Sequence, residues 1–314
     1  MQVRQFGSTD LRVSELGLGC ARIGGIFQND PAAFVNLLSA ARDQGINFFD
    51  TADMYSQGES ETLLGRAFRK RRDQVIIASK AGYCLPTQRQ FIARIKPFVR
   101  PLIKLLKIKR ENLPSSVKGE LAQDFSPAYL RRAVEGSLRR LRTDYLDLLQ
   151  LHSPPAEIVQ RGEWLEALES LKRSGKVRYY GISCDTVEAA QAALAFSGVS
   201  SLQIVVSLLE RSFAEAVGTR AQQQGVGIIA RECLANGLLV KSAQEAKLEG
   251  YWPPEKEVDK KRELTSYREA AASKGIPLSR LALDYATGVN GVSVALIGVR
   301  TLDQLTHTLR EFRG

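Results

Sequence analysis

Short apolar runs alternate with amphipathic segments along most of the chain. Eight runs have the length and the aliphatic or aromatic composition of β-strands, and a pattern with helical spacing follows each of them. The strand candidates are residues 16–20, 47–50, 75–80, 146–151, 177–182, 202–206, 226–230 and 292–297. The helix candidates are residues 31–44, 60–70, 127–141, 164–174, 187–196, 214–224, about 260–274 and 302–312. Because parallel strands need crossover connections, usually helices, this alternation predicts a parallel sheet.

Eight strand–helix units in a chain of 314 residues predict an α/β fold, the (β/α)8 TIM barrel. We expect residues 1–314 to form a single domain. Residues 1–13 carry two short extended patterns around Gly7-Ser8-Thr9-Asp10. They predict an N-terminal β-hairpin that plugs the bottom of the barrel.

The main alternative fold is a doubly wound sheet with a glycine-rich dinucleotide-binding loop. The candidate loop has glycines at 17, 19 and 24, which is not the Gly-x-Gly-x-x-Gly spacing. No acidic residue closes a following strand at the expected offset with that loop intact. The sequence therefore favours the barrel.

The composition is that of a globular protein, with 44% hydrophobic and 25% charged residues. No stretch approaches the roughly 20 apolar residues of a transmembrane helix, and the first six residues lack the apolar core of a signal peptide. We therefore expect a cytoplasmic location. The four cysteines are widely spaced and the chain has only two histidines, so we expect reduced thiols and no metal site.

The net charge is +10, and most of the excess is local. Residues 84–118, a basic insertion after the third strand, contain nine Lys or Arg against one acid, which leaves 10 − 8 = +2 for the rest. Apolar and basic residues mix there at roughly helical spacing, so one hypothesis is weak contact with a membrane surface or an acidic partner through residues 88–112. The alternative is a solvated lid or peripheral helix. Nucleic-acid binding is not expected, because no recognition fold accompanies the charge.

Four candidate catalytic residues follow three of the predicted strands. Asp50, Lys80 and His152 come at or just after strand ends, and Tyr55 lies on the loop that follows Asp50. In a parallel barrel the C-terminal ends of the strands surround one pocket. A phenol, an ammonium, a carboxylate and an imidazole meeting there can protonate or deprotonate an oxygen.

The sequence around these residues resembles the aldo-keto reductase family. The segment Phe48-Phe49-Asp50-Thr51-Ala52-Asp53-Met54-Tyr55 is similar to the family's Phe-Asp-Thr-Ala-x-x-Tyr motif, and Gly58-Glu59-Ser60-Glu61 continues it. Ser79-Lys80, Asp144-Tyr145-Leu146-Asp147 with Leu151-His152, and Gly181-Ile182-Ser183 also match, in the family's order. The likeness runs from about residue 4 to 83 and from 124 to the C-terminus.

The resemblance implies a barrel that binds NADPH at its C-terminal face and reduces a carbonyl group. It implies that Tyr55 is the general acid, that Lys80 favours the tyrosine anion, and that Asp50 holds Lys80 in place. A nearby cation does favour a phenolate. His152 would hydrogen-bond and orient the substrate oxygen, as a donor in an oxyanion hole does.

The resemblance also implies cofactor contacts. Ser183 and Gln203 stand where the family holds the nicotinamide amide, although the asparagine that usually follows this serine is Cys184 here. Arg231 stands where the family stacks an aromatic ring under the nicotinamide, so either its guanidinium stacks there or the loop is rebuilt. The phosphate-binding pattern of the last strand gives the candidates Gly298, Arg300 and Gln304. NADPH is favoured, and NADH stays open.

Two functions are consistent with these observations. The first is an NADPH-dependent oxidoreductase that reduces an aldehyde, ketone or sugar carbonyl. The second is an NADP-binding regulatory or redox-sensing protein that resembles the family's potassium-channel β subunits and turns over slowly or not at all. The four candidate catalytic residues are compatible with both.

Overall fold

The structure is a computed structural model that describes residues 1–24, 30–84, 121–240 and 252–313. Ten strands are present in this part of the chain: β1 Val3–Gln5, β2 Arg12–Ser14, β3 Leu16–Gly19, β4 Phe48–Asp50, β5 Ile76–Ala81, β6 Leu146–His152, β7 Val177–Ser183, β8 Ser201–Val205, β9 Gly227–Arg231 and β10 Val292–Ile297. The helices are α1 Pro31–Asp43, α2 Glu59–Phe68, α3 Pro127–Leu141, α4 Ala156–Arg161, α5 Leu165–Arg173, α6 Val187–Ala193, α7 Ser212–Gln223, α8 Pro254–Ser273, α9 Leu278–Gly288 and α10 Leu302–Arg313.

Strands β3 to β10 form a closed barrel in which every neighbouring pair is parallel. The barrel closes where Leu296 of β10 pairs with Gly17 of β3. The strands are buried on both faces, as expected when helices cover the outside of a parallel sheet. The predicted (β/α)8 TIM barrel is confirmed.

The N-terminal hairpin closes one end of the barrel, as predicted. Strands β1 and β2 pair antiparallel, and Phe6 between them is fully buried among inward-facing residues of the barrel strands. Its ring stacks on that of Phe48 with 6.0 Å between centroids. The turn approaches the barrel so closely that a Cβ on Gly7 (φ +54°) would lie 2.4 Å from the Gly225 carbonyl oxygen. The Ser8 amide donates to that same oxygen at 2.7 Å.

Helix starts follow the local chemistry of the sequence. Asp30 caps α1 by accepting hydrogen bonds from two backbone amides, and Pro31 occupies the first turn. Ser126 caps α3 in the same way by accepting from the Tyr129 amide, with Pro127 following it. These caps determine where the chain turns from the loop into the helix that covers the barrel.

The region between β9 and β10 differs from the prediction. Helix α8 begins at Pro254 rather than near residue 260, and α9 was not predicted at all. Helix α8 buries only Leu264 and Ala271, so its first turns carry no apolar stripe to reveal a helix.

The short helix α4, between β6 and β7, was not predicted either. The basic insertion lies almost wholly outside the described residues.

Candidate active site

The four candidate catalytic residues meet at the C-terminal end of the barrel. Lys80 on β5 is 1% exposed. Its Nζ donates to Asp50 Oδ2 at 2.6 Å, to the Thr51 carbonyl at 3.0 Å and to the Tyr55 hydroxyl at 3.2 Å. All three protons of the ammonium therefore have acceptors, which is what a buried charge requires.

Tyr55 is held in place by the tight loop that follows β4. Its amide donates to the Ala52 carbonyl at 3.1 Å. The next residues, Ser56 and Gln57, both adopt left-handed backbone conformations (φ +51° and +60°), and Gly58 (φ +84°) directly precedes α2. Consecutive non-glycine residues in this conformation are costly, and such strain concentrates at functional sites.

The motif residues around Tyr55 stabilise this loop from below. The buried hydroxyls of Thr51 and Ser60 lie 2.9 Å apart, and Ser60 Oγ also donates to the Cys20 carbonyl at 3.1 Å. These bonds connect the end of β4, the start of α2 and the segment after β3. The sequence segments that resemble the family therefore contain both Tyr55 and the residues that hold its loop in position.

Burial and neighbouring charges together set the protonation states of the site. It raises the pKa of the Tyr55 phenol, although the Lys80 cation opposes this, so the phenol keeps its proton at neutral pH. Burial alone would lower the pKa of Lys80, but the Asp50 carboxylate and the Tyr55 hydroxyl outweigh it, and the pKa is raised. The site thus presents a neutral phenol beside a charged ammonium.

His152 ends β6 and faces both tyrosines of the pocket. Its ring meets the Tyr55 ring edge-on at 5.7 Å and the Tyr83 ring edge-on at 4.8 Å. Burial, together with the Lys80 and Arg231 cations, lowers the pKa of His152 well below its usual value, so the imidazole is neutral. Its buried Nδ1 has no partner among the described residues. A neutral imidazole has one N–H to offer an incoming oxygen.

The second carboxylate oxygen of Asp50, on β4, accepts hydrogen bonds from two glutamines on β6 and β8, which reach it across the barrel interior. Gln203 Nε2 donates to Asp50 Oδ1 at 2.7 Å, and Gln150 Nε2 does so at 3.4 Å. Gln150 was missed by the sequence reasoning. The available signal was an amide in an otherwise apolar strand, where a buried polar group needs a partner.

A second buried polar group lies next to Lys80 and was also missed. Glu61 accepts from Ser79 Oγ and from Arg140 Nε, each at 2.6 Å. The Asp53 amide donates to the Lys80 carbonyl at 3.1 Å, while its side-chain Oδ1 has no partner among the described residues. Burial, with the Glu61 charge, raises the pKa of Asp53 to about 7.

The residues proposed to hold a nicotinamide amide fit that role in donors and acceptors. Ser183 Oγ, at the end of β7, donates to Gln203 Oε1 on β8 at 3.4 Å, so a hydroxyl donor and a carbonyl acceptor lie side by side. A carboxamide needs one of each. Cys184 is different: its thiol is fully buried in the hydrophobic core, where it packs as a small apolar group.

Arg231 ends β9 and bridges two loops. Its guanidinium donates to Asp185 Oδ1 and to Glu232 Oε1, each at 2.6 Å, and to the Cys184 carbonyl at 3.3 Å. Its Nε is buried without a partner among the described residues. The loop is therefore built on an ion-pair group at the position where the resemblance implies an aromatic ring.

The phosphate candidates follow β10. The Arg300 amide donates to Gln304 Oε1 at 2.8 Å, and the Gln304 amide donates to Thr301 Oγ1 at 3.2 Å, as in a capped helix start. A Cβ built on Gly298 would meet nothing within 4 Å among the described residues. Open space beside a glycine, a helix N-terminus and an exposed arginine together suit a phosphate.

The described ranges contain no group of three or more His, Cys, Asp or Glu that could hold a metal ion. Within the same ranges, no helix is long and apolar enough to cross a membrane.

The chain is a closed parallel barrel with a tyrosine, a lysine, an aspartate and a histidine together at its C-terminal end. Residues 15–313 match the model of the Aldo/keto reductase family, and the chain belongs to that family.

The similarity to known proteins extends over nearly the whole chain. The uncharacterized oxidoreductase YqkF of Bacillus subtilis (strain 168) is 30% identical over 317 residues, covering 99% of this chain and 90% of that protein. The aldo-keto reductase YhdN of the same organism is 28% identical, covering 100% and 89%. The holo structure of aldo-keto reductase AKR11C1 from Bacillus halodurans is 32% identical with a TM-score of 0.80, covering 100% of this chain and 91% of that one.

Proposed function

We propose that this protein is an NADPH-dependent reductase of an aldehyde, ketone or sugar carbonyl, reversible in principle. The observation that carries the proposal is the 3.2 Å contact between Lys80 Nζ and the Tyr55 hydroxyl, with Asp50 Oδ2 2.6 Å from the same nitrogen. A protonated phenol beside a charged lysine can donate its proton, because the lysine stabilises the phenolate that remains.

In this mechanism each residue has one task. NADPH, when bound, supplies the hydride that reaches the carbonyl carbon. Tyr55 donates its phenolic proton to the carbonyl oxygen, and Lys80 stabilises the phenolate left behind. Asp50 holds Lys80 in position. The neutral His152 imidazole donates a hydrogen bond to the same oxygen and orients the carbonyl.

The cofactor contacts belong to the same proposal. Ser183 and Gln203 would hold the nicotinamide amide, and Arg231 would lie beside the ring. Gly298, Arg300 and Gln304 would hold the phosphate of the adenosine half, where the Arg300 charge favours NADPH over NADH. A parallel assay with NADH measures that preference.

The test is loss of NADPH absorbance across a panel of aldehydes, ketones and aldoses, with Tyr55→Phe beside wild type. We expect turnover with at least one carbonyl and a fall of about 10²- to 10⁴-fold in kcat in the variant, with NADPH affinity unchanged. Tyr145→Phe is the matched control, because Tyr145 precedes β6 at the opposite end of the barrel.

The other outcomes have distinct meanings. Tight NADPH binding without turnover would favour the regulatory, redox-sensing alternative. Absence of both would contradict the cofactor site.

The charge of residues 84–118 supports a further proposal, weak contact of residues 88–112 with an anionic surface or an acidic partner.

A further inference from the structure

The side chain of Gln123 hydrogen-bonds two consecutive backbone carbonyls, those of His152 and Ser153. Its Nε2 donates to the His152 carbonyl at 3.2 Å and to the Ser153 carbonyl at 2.9 Å. One amide nitrogen thus holds two consecutive carbonyls at the point where β6 ends. Neither carbonyl oxygen nor Gln123 touches the reacting atoms in the proposed mechanism.

The two carbonyls converge because the backbone departs from strand geometry there. Successive carbonyls of an extended strand point in opposite directions, as its side chains do. Ser153 has φ +53°, a left-handed conformation that a serine rarely adopts. Its amide still donates to the Ser183 carbonyl at 3.0 Å. The strand therefore ends sharply at His152, and the Gln123 amide stabilises that ending.

Gln123 is itself anchored by backbone bonds that do not involve its side chain. Gln123 pairs with Tyr83 in an isolated antiparallel bridge. The Cys84 amide donates to the Ala122 carbonyl at 2.7 Å, and the Asp124 amide donates to the Gly82 carbonyl at 2.8 Å. Replacing the Gln123 side chain would therefore leave the bridge intact.

The same bridge places a ring against the imidazole. The Tyr83 ring lies 4.8 Å from the His152 ring at an interplanar angle of 84°, while Tyr55 meets that ring at 5.7 Å and 81°. Burial and Asp185 raise the pKa of Tyr83, and the nearby side chains of Gln123 and Ser153 oppose that rise. His152 is thus held through its backbone by Gln123 and through its ring by two tyrosine edges.

We propose that Gln123 is a positioning residue that sets the orientation of the His152 imidazole. The inference rests on the proposed function, in which His152 orients the substrate oxygen. Without the two hydrogen bonds, the peptide at the end of β6 is free to relax, and the imidazole turns toward solvent. A small misplacement of such a group is expected to cost about 10- to 100-fold in rate.

The chain offers a direct measurement of the imidazole, because it has only two histidines. His307 on α10 is exposed and contacts Glu311 at 3.2 Å, far along the chain from the site, so its ring signals serve as an internal reference. The charged groups that act on His152 are Lys80 and Arg231, and the two tyrosines that face it are Tyr55 and Tyr83.

The experiment compares the full-length protein with Gln123→Met, which keeps the length of the side chain and loses the donor, and with Gln123→Leu, which also loses the donor without adding a charge. Gln223→Met on the exposed end of α7 is the control. Histidine ring signals are recorded by NMR against pH, with His307→Gln for assignment. Carbonyl reduction and NADPH affinity are measured on the same samples.

We expect the His152 signals of both Gln123 variants to shift and to begin titrating toward the ordinary histidine pKa of about 6.5. We expect kcat/KM for the carbonyl to fall about 10- to 100-fold, with NADPH affinity unchanged and Gln223→Met like wild type. His152 signals that match wild type in both variants would overturn the proposal, whatever the activity. Shifted His152 signals in a protein without carbonyl turnover would support the positioning role and count against the proposed function alone.

Discussion

Lys80 keeps a positive charge in a position that water barely reaches. Its raised pKa depends on Asp50 and Tyr55, which outweigh the cost of burial. The pair is therefore strong only while both members are present. A buried ion pair that loses one member leaves an uncompensated charge behind, and that is the costly event.

Lys80→Met should destabilise the protein by about 3–5 kcal/mol, because it leaves the Asp50 carboxylate buried without its cation. Adding Asp50→Asn to it should recover part of that loss, since the amide removes the charge. Urea unfolding of the two variants measures both effects, and both should lack turnover. A double variant no more stable than Lys80→Met would contradict the pairing.

Asp53 provides a pH dependence whose sign follows from its environment. Its pKa is raised from 3.8 to about 7 in the folded protein. Between these values the folded state holds a proton that the unfolded state has lost. Its contribution to stability is therefore full below about pH 4 and is lost as the pH rises through 7.

Asp53→Asn should remove this dependence. Each pH unit within the window corresponds to about 1.4 kcal/mol. The variant should therefore gain roughly 2–3 kcal/mol relative to wild type between about pH 5 and about pH 8. Urea unfolding at both pH values checks it. An equal difference between the two proteins at both pH values would mean that Asp53 titrates normally.

At the residue scale, the sequence predicted the four candidate catalytic residues but not the residues that hydrogen-bond to them. Asp50, Tyr55, Lys80 and His152 come at strand ends or inside a motif, so local pattern was sufficient to nominate them. Gln150 and Gln123 were missed because their partners, Asp50 and the His152 peptide, are distant in sequence. A hydrogen-bonding amide looks like any other amide until the partner is known.

At the scale of elements, the N-terminal hairpin is the piece whose position only packing explains. Its strands are three residues each, too short to be stable alone. What holds them is Phe6, which is fully buried against the lower barrel interior. The hairpin is therefore a plug that depends on the barrel and closes its apolar interior in return.

Phe6→Ala should destabilise the protein by about 3–5 kcal/mol, the range for removing a fully buried phenylalanine. Val3→Ala is the matched control in the same hairpin, because Val3 is 51% exposed. It should change stability by no more than about 0.5 kcal/mol. Thermal unfolding of the two variants provides the comparison. Similar losses in both would mean that the hairpin is held by its backbone alone.

The predicted and observed elements agree where periodicity is strong and differ where it is weak. Seven of the eight predicted helices lie where amphipathic patterns placed them, within a few residues. Helix α9 has a buried face of Ala282, Leu283 and Ala286, but a strand–helix unit needs only one helix there, so the alternation did not predict a second one. Helix α8 is polar on nearly every side, and periodicity could not mark its start.

At the scale of the whole molecule, the positive net charge comes mostly from one segment and not from the residues that build the barrel. The segment 84–118 carries +8 of the net +10, and nearly all of it lies outside the described residues. Removing it would leave a nearly balanced protein. That the whole chain forms one domain stays a prediction.

Deleting residues 88–112 should lower binding to anionic vesicles if the proposed surface contact exists. Binding of the intact protein should also weaken as salt is raised, because exposed charges are screened beyond about 10 Å at 0.1 M. Vesicle sedimentation with anionic and neutral lipids measures this. Equal binding with and without the segment would contradict the membrane hypothesis and leave an acidic protein partner to be tested.

The sequence by itself determined the fold class, because the alternation of apolar strands and amphipathic helices admits few parallel arrangements. It also nominated the candidate catalytic residues, since these come at strand ends or inside motifs that resemble the family's. Only the tertiary structure decided their protonation and support. The pKa of Tyr55 and the neutral state of His152 follow from burial. The bonds from Gln150 and Gln123 follow from proximity in space, and neither property is local to the chain.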